Sequence, residues 1–136
     1  MNFEQAMEYL NSKPEAELCY PFYPDVPVYK ICGKVFALLS PLKKSDDKTA
    51  RPEAPFLNLK CDPNHALELR DVFEGVVPAY HMNKKHWNSV LLDGSVPDGE
   101  IERQIDHSYS IIIKSLKKAE QKRLEIAYPD EELHRE

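Results

Sequence analysis

The stretch VYKICGKVFALL, residues 28–39, decides the fold. Its first half, VYKIC, is a short run rich in β-branched and aromatic side chains, and its last five residues, VFALL, form a second apolar run. Between them stand Gly33 and Lys34. Two β-type runs around a two-residue glycine turn predict an antiparallel hairpin. Downstream, FLNLKC (56–61) sets Leu57, Leu59 and Cys61 alternately against Phe56, Asn58 and Lys60. That alternation predicts a third strand with one dry face and one wetter face. The intervening KKSDDKTARPEAP (43–55) is polar, holds two prolines and reads as a surface loop. Upstream, Pro21, Pro24 and Pro27 lie among Tyr20, Phe22 and Tyr23. This reads as a connection packed by its aromatics in preference to a proline-rich ligand motif.

The outer segments supply helices. Phe3, Met7 and Leu10 recur at helical spacing, with Asn2 and Gln5 in capping-box position and Pro14 limiting the length. Asp62 and Pro63 open a second helix whose stripe is Ala66, Leu69 and Phe73, edged by Leu67 and Val72 and closed by Gly75. Residues 76–80 predict a fourth strand, where Pro78 implies an edge or a bulge. Residues 87–92 predict a fifth, ending at the Asp93-Gly94 turn. A last helix, capped by Ser95 or Asp98, carries Ile101, Ile105, Tyr109, Ile112 and Leu116 on one face. Residues 119–127 extend it or make a second short helix, and the residues past Pro129 are expected to fray. The resulting order, α-β-β-β-α-β-β-α, predicts an α+β domain: two layers, a mainly antiparallel five-stranded sheet and helices on one face. The domain is expected to span 1–124, with 125–136 as an acidic tail.

Composition narrows the function classes. The chain has 136 residues, one domain's worth, and no apolar run near the roughly 20 residues that span a bilayer. The first residues, MNFEQAMEYLNSK, do not read as a secretory signal. Cys19, Cys32 and Cys61 are odd in number and lack CxxC spacing. A disulfide framework and a structural zinc site are not expected, and reduced thiols suit a cytoplasmic protein. Eighteen basic against 23 acidic residues give a net charge of −5, which weighs against a nonspecific nucleic-acid binder while leaving room for a local patch. Charge is uneven: Lys114, Lys117, Lys118, Lys122 and Arg123 cluster around one acid, Glu120, and residues 125–136 hold five acids. Such a tail would screen or compete with the basic run.

The polar stretch YHMNKKHW (80–87) joins two expected strands and is the leading candidate surface. Lys84 and Lys85 suit phosphates, Asn83 a base or phosphate, and Trp87 suits stacking, with His86 beside them. The structural alternative has Asn83 shaping the turn, Trp87 packing on the core and solvated lysines. Lys114, Lys117 and Lys118 are the second candidate cluster, although a helix C-terminus favours cations without any ligand. His81, His86 and His107 lack metal-ligand spacing, and no metal is expected. His107 is expected to hydrogen-bond from the last helix to the sheet. Cys61 precedes a helix N-terminus but alternates with leucines, so core burial is expected. No catalytic residue, cofactor or phosphate loop is indicated, since the glycines stand singly.

Five stretches together resemble the MmcQ/YjbR family of small bacterial proteins: PVYKICGKVFALL (27–39), NLKCDP (58–63), YHMNKKHW (80–87), LDGSVPD (92–98) and IDHSY (105–109). The resemblance implies a fold similar to type III secretion chaperones. It also implies DNA binding, by analogy to a winged arrangement of strands and without a transferable nucleic-acid motif. Loop 43–55 is longer here than in compact members, and the acidic tail is an extra. The leading expectation is a non-enzymatic DNA-binding protein. A protein-interaction or chaperone-like adaptor would instead show an exposed apolar groove or sheet edge near residues 20–29. An enzyme would need a pocket where the histidines meet Tyr80 or Tyr109. Neither a membrane partner nor a particular oligomeric state is indicated.

Overall fold

In the computed structural model, residues 1–41, 54–80 and 82–135 are described. Most of loop 43–55, together with His81, lies outside the described residues. The elements run α1 (Phe3–Asn11), β1 (Glu17–Cys19), β2 (Val28–Ile31), β3 (Lys34–Ser40), β4 (Phe56–Lys60), α2 (Pro63–Val72), β5 (Val76–Pro78), β6 (Trp87–Leu91), α3 (Asp98–Lys114), α4 (Lys118–Ala127) and α5 (Asp130–Leu133). The strands form one antiparallel sheet in the order β1-β2-β3-β4-β6-β5. The α+β class holds, and the strand count is six rather than five. The added strand, β1, lies in the segment read as a connection. It is three residues long and mostly exposed, so it carries no alternating signal.

The hairpin turns one residue earlier than expected. Ile31 pairs with Lys34, so Cys32 and Gly33 are the turn residues, with φ of 49° and 80°. Positive φ at both central positions matches the twist of the flanking strands, and a glycine meets half of that demand freely. A bulge between Tyr29 and Lys30 in the pairing leaves Phe36 without a cross-strand partner. Phe36 and Ala37 are therefore both buried, breaking the alternation of β3. The Phe36 ring meets Tyr109 edge-on, with centroids 5.2 Å apart.

One face of the sheet carries Ala37, Leu39, Leu57, Leu59 and Val90, and α1, α2 and α3 pack on that side. Every member of the predicted α3 stripe is buried. At about 1.5–3 kcal/mol for each large apolar side chain, this helix anchors the layer. The capping box of α1 forms as read: Asn2 Oδ1 accepts from Gln5 N, and Gln5 Oε1 accepts from Asn2 N. Asp62 caps α2, accepting from the backbone of Asn64 and His65.

Gly75 does not cap α2, which ends at Phe73. A Cβ at Gly75 would lie 2.1 Å from Ser95 Oγ and 2.8 Å from a Val96 methyl, so close approach is what this glycine serves. Neither Ser95 nor Asp98 caps α3, because Pro97 occupies that position. Ser95 instead donates to the Asp93 carboxylate through its backbone and hydroxyl, holding that carboxyl below its usual range. Residues 118–127 form a separate helix. Residues 133–134, expected to fray, are held: Leu133 on α5 is 1% exposed within the core, and Ser110 Oγ lies 2.6 Å from His134 Nδ1.

A single hydroxyl of α3 bonds to both β3 and β4. Ser108, fully buried, donates to the Phe36 carbonyl at the bulge and accepts from Lys60 N at 2.9 Å. The sheet contact expected of His107 thus belongs to its neighbour, about 100° further round the helix. Ser108→Ala is expected to leave both backbone groups unpaired and to cost about 1–3 kcal/mol. Urea unfolding followed by far-UV circular dichroism would read this as a lower midpoint, and an unchanged midpoint would refute the bridge.

Candidate functional site

The connection between β5 and β6 is clamped from both faces of the sheet. On the outer face, Asn58 Nδ2 donates to the Tyr80 carbonyl, Tyr80 N donates to Ser89 Oγ, and Ser89 Oγ donates to Asn58 Oδ1. The Tyr80 ring packs on Phe56 with centroids 5.3 Å apart. The expected wetter face of β4 is thus dry at Asn58, whose polar atoms are met inside this closed network. On the helix face, Arg70 of α2 donates through Nε to Asn88 Oδ1 at 2.7 Å and through Nη2 to the carbonyls of Lys84 and Trp87. Asn88 Nδ2 in turn donates to the Ala66 carbonyl. Arg70 was not singled out in the sequence, where a lone arginine on a short helix carries no distinguishing mark.

Within the connection, Asn83 shapes the turn. Its Oδ1 accepts from Lys85 N, and its carbonyl accepts from the backbone N–H groups of His86 and Trp87. Lys84 is exposed, yet its ammonium turns back to the Ala79 carbonyl at 2.8 Å. Lys85 is exposed. The carbonyl of His86 accepts from Cys61 N at 2.8 Å, and Trp87 is half-buried at the start of β6. Cys61 itself is buried; burial first, then the adjacent Asp62 carboxylate, pushes its thiol up to about 11.

Topology carries the second cluster toward the first. Trp87 pairs with Lys60 at the end of β4, and β3 runs antiparallel to β4 from its opening residue Lys34. The Lys34 ammonium donates to the Ser115 carbonyl at 2.9 Å, so α3 ends at this same end of the sheet. Strands β3 and β6 are separated only by β4, a lateral span of about 10 Å. Lys34, Lys60, Lys84, Lys85, Lys114, Lys117 and Lys118 therefore belong to one end of the molecule. Lys114 sits in the last turn of α3, where the helix dipole favours a cation. Lys117 and Lys118 stand at the start of α4, where the dipole favours an acid. Arg123 is engaged by Glu15 at 2.9 and 3.0 Å, and Lys114 shares a surface depression with Asp130 and Glu131.

His107 meets His65 of α2, with ring centroids 5.4 Å apart. Among the described residues, no group of three histidine, cysteine or acidic side chains is placed to hold a metal. Among the same residues, no helix is long and apolar enough to cross a membrane.

The YjbR family profile matches residues 11–111. The uncharacterized protein YbdF of Escherichia coli O157:H7 is 38% identical over 111 residues, covering 82% of this chain and 84% of that one. The uncharacterized protein YjbR of Escherichia coli K12 is 30% identical over 124 residues, covering 91% and 98%. The crystal structure of Deinococcus radiodurans protein DR2400, with domain DUF419, superposes with a TM-score of 0.74 at 32% identity, covering 95% of this chain and 90% of that one.

The Arg70 clamp has a direct optical readout, because Trp87 is the single tryptophan. Arg70→Ala is expected to red-shift its fluorescence and to speed amide exchange across residues 82–87, at a cost of about 1–3 kcal/mol. Unchanged emission and exchange would show that the connection holds its shape without the clamp.

Proposed function

The chain belongs to the YjbR family, and from that premise we propose that it is a non-enzymatic, cytoplasmic DNA-binding protein acting through the lysine-rich end of its sheet. The observation that carries this reading is the convergence of two lysine clusters, far apart in sequence, on one end of the fold. A cation at the start of α4 is electrostatically unfavourable for that helix, so Lys117 and Lys118 are better explained by an outside anion than by helix stability. Lys85, Lys114, Lys117 and Lys118 meet phosphates, and Lys84 joins them on leaving the Ala79 carbonyl. Asn83 and His86 hold the turn that presents them, and Trp87 lies beside the contact. The net charge of −5 and the nearby acids of α5 keep the affinity modest.

The test is retention of duplex DNA by the full chain at about 50 mM salt, with a log–log salt slope of about −3 to −5 for four or five phosphate contacts. Changing Lys85, Lys117 and Lys118 together to Glu should weaken binding at least about tenfold without lowering the thermal midpoint. No retention at low salt, or retention insensitive to salt, overturns the reading.

A second reading, a protein-interaction adaptor, is favoured by a separate surface. Strand β1 is an edge of the sheet, and the chain leaving it exposes Tyr20, Phe22 (65%) and Tyr23 (61%) beside Leu18. An exposed edge with aromatics suits an extended segment of another protein. Peptides selected from a random library on the immobilised chain should then be apolar and extended, and should lose binding to the Phe22→Ser variant. Equal binding to that variant counts against the edge.

A further inference from the structure

We propose that the cleft between α2, α3 and Arg135 is a binding site for a small oxyanion, a phosphate or carboxylate group. The cleft measures about 280 Å³ and is lined by His65, Arg103, Gln104, His107 and Arg135. Its lining holds two guanidiniums, two imidazoles and an amide, and no carboxylate. The two neighbouring depressions, which also reach Arg135, are lined in part by Glu131 with Asp130 or Glu132. The volume falls just below the roughly 300–1,000 Å³ of pockets for drug-sized molecules, so the ligand is correspondingly small.

A second observation points the same way. His107 Nε2 is buried and has no hydrogen-bond partner, the one such side-chain atom among the described residues. A buried polar group left unpaired costs about 1–3 kcal/mol, which an oxyanion in the cleft that His107 lines would recover once the ring turns to meet it. Burial, and next the neighbouring His65, lower the His107 pKa, so its ring is neutral near pH 7. A neutral imidazole that carries its proton on Nε2 presents one N–H donor to an oxyanion. Gln104, 5% exposed, closes the wall, and its amide Nε2 donates to Glu100 Oε1 at 3.3 Å. Glu100 takes the Nε and Nη2 positions of Arg103, leaving Nη1 to face another acceptor. The acids that oppose an anion here are Glu100, Glu68 at 3.5 Å from His65 Nδ1, and Asp62, whose charge reaches His107. None of them lines the cleft.

The experiment follows the imidazole proton signals of the full chain by NMR during separate titrations with inorganic phosphate and with citrate, each to about 20 mM, enough to reveal millimolar affinity. The expected result is saturable movement of the His107 and His65 signals with at least one probe, and the preferred probe identifies the group. Arg135→Gln, an exposed change, should weaken that titration at least about tenfold, while Lys117→Glu should leave it unchanged. Arg103→Gln should weaken it similarly. Absence of saturable movement with both probes, or a wild-type titration in the Arg135→Gln variant, overturns the proposal. DNA retention is measured separately, so failure of the cleft leaves the lysine-rich end untouched.

Discussion

The Ser108 hydroxyl sits where the two layers of this protein must agree. The bulge in β3 turns Phe36 inward and frees its carbonyl from the ladder, and β4 ends with the Lys60 N–H directed at α3. A hydroxyl can donate to one group and accept from the other at once. No aliphatic residue at this buried position would satisfy both. The flanking residues of α3 take up other tasks. Asp106, nearly buried, receives the Tyr9 hydroxyl at 2.6 Å and pairs with Lys13 at the end of α1, while Tyr109 reaches the Pro14 carbonyl with its own hydroxyl. Four of the five residues 105–109 thus bind α3 to the core, to α1, to the sheet and to the chain after α1. His107 alone among them points a buried nitrogen at no protein partner.

The β5–β6 connection is tied to both faces of the sheet. Two asparagines, Asn58 and Asn88, project from opposite faces of neighbouring strands and tie the β5–β6 connection through Tyr80 and Arg70. Its exposed lysines keep a set position relative to the α3–α4 corner. Preorganised cations of this kind lose little freedom on meeting an anion.

The family resemblance, the α+β class and the helix-on-sheet layering were legible because each rests on local signals. Capping residues at Asn2 and Asp62, the stripe of α3 and the alternation in β4 are all patterns within a few residues. The failures have local causes too. Strand β1 is too short and exposed to show a period. The bulge at Phe36 shifts alternation without changing composition. Gly75 serves packing against Ser95 and Val96, which no flanking residue announces. The docking of Leu133 could not be read from an acidic, proline-limited chain end, since one leucine among acids has no periodicity.

The sequence by itself determined which segments are helix or strand and which side chains are apolar, because backbone preference and burial pattern are written at periods of two and 3.6 residues. It also determined that charge is split into a basic run and an acidic end. Only the tertiary structure decided which distant residues meet: Lys34 with Ser115, Arg70 with Trp87, His65 with His107, and two lysine clusters at one end of the sheet. Those pairings depend on strand order and register, which are settled by packing the whole core at once. They therefore leave no trace in the spacing of any one segment.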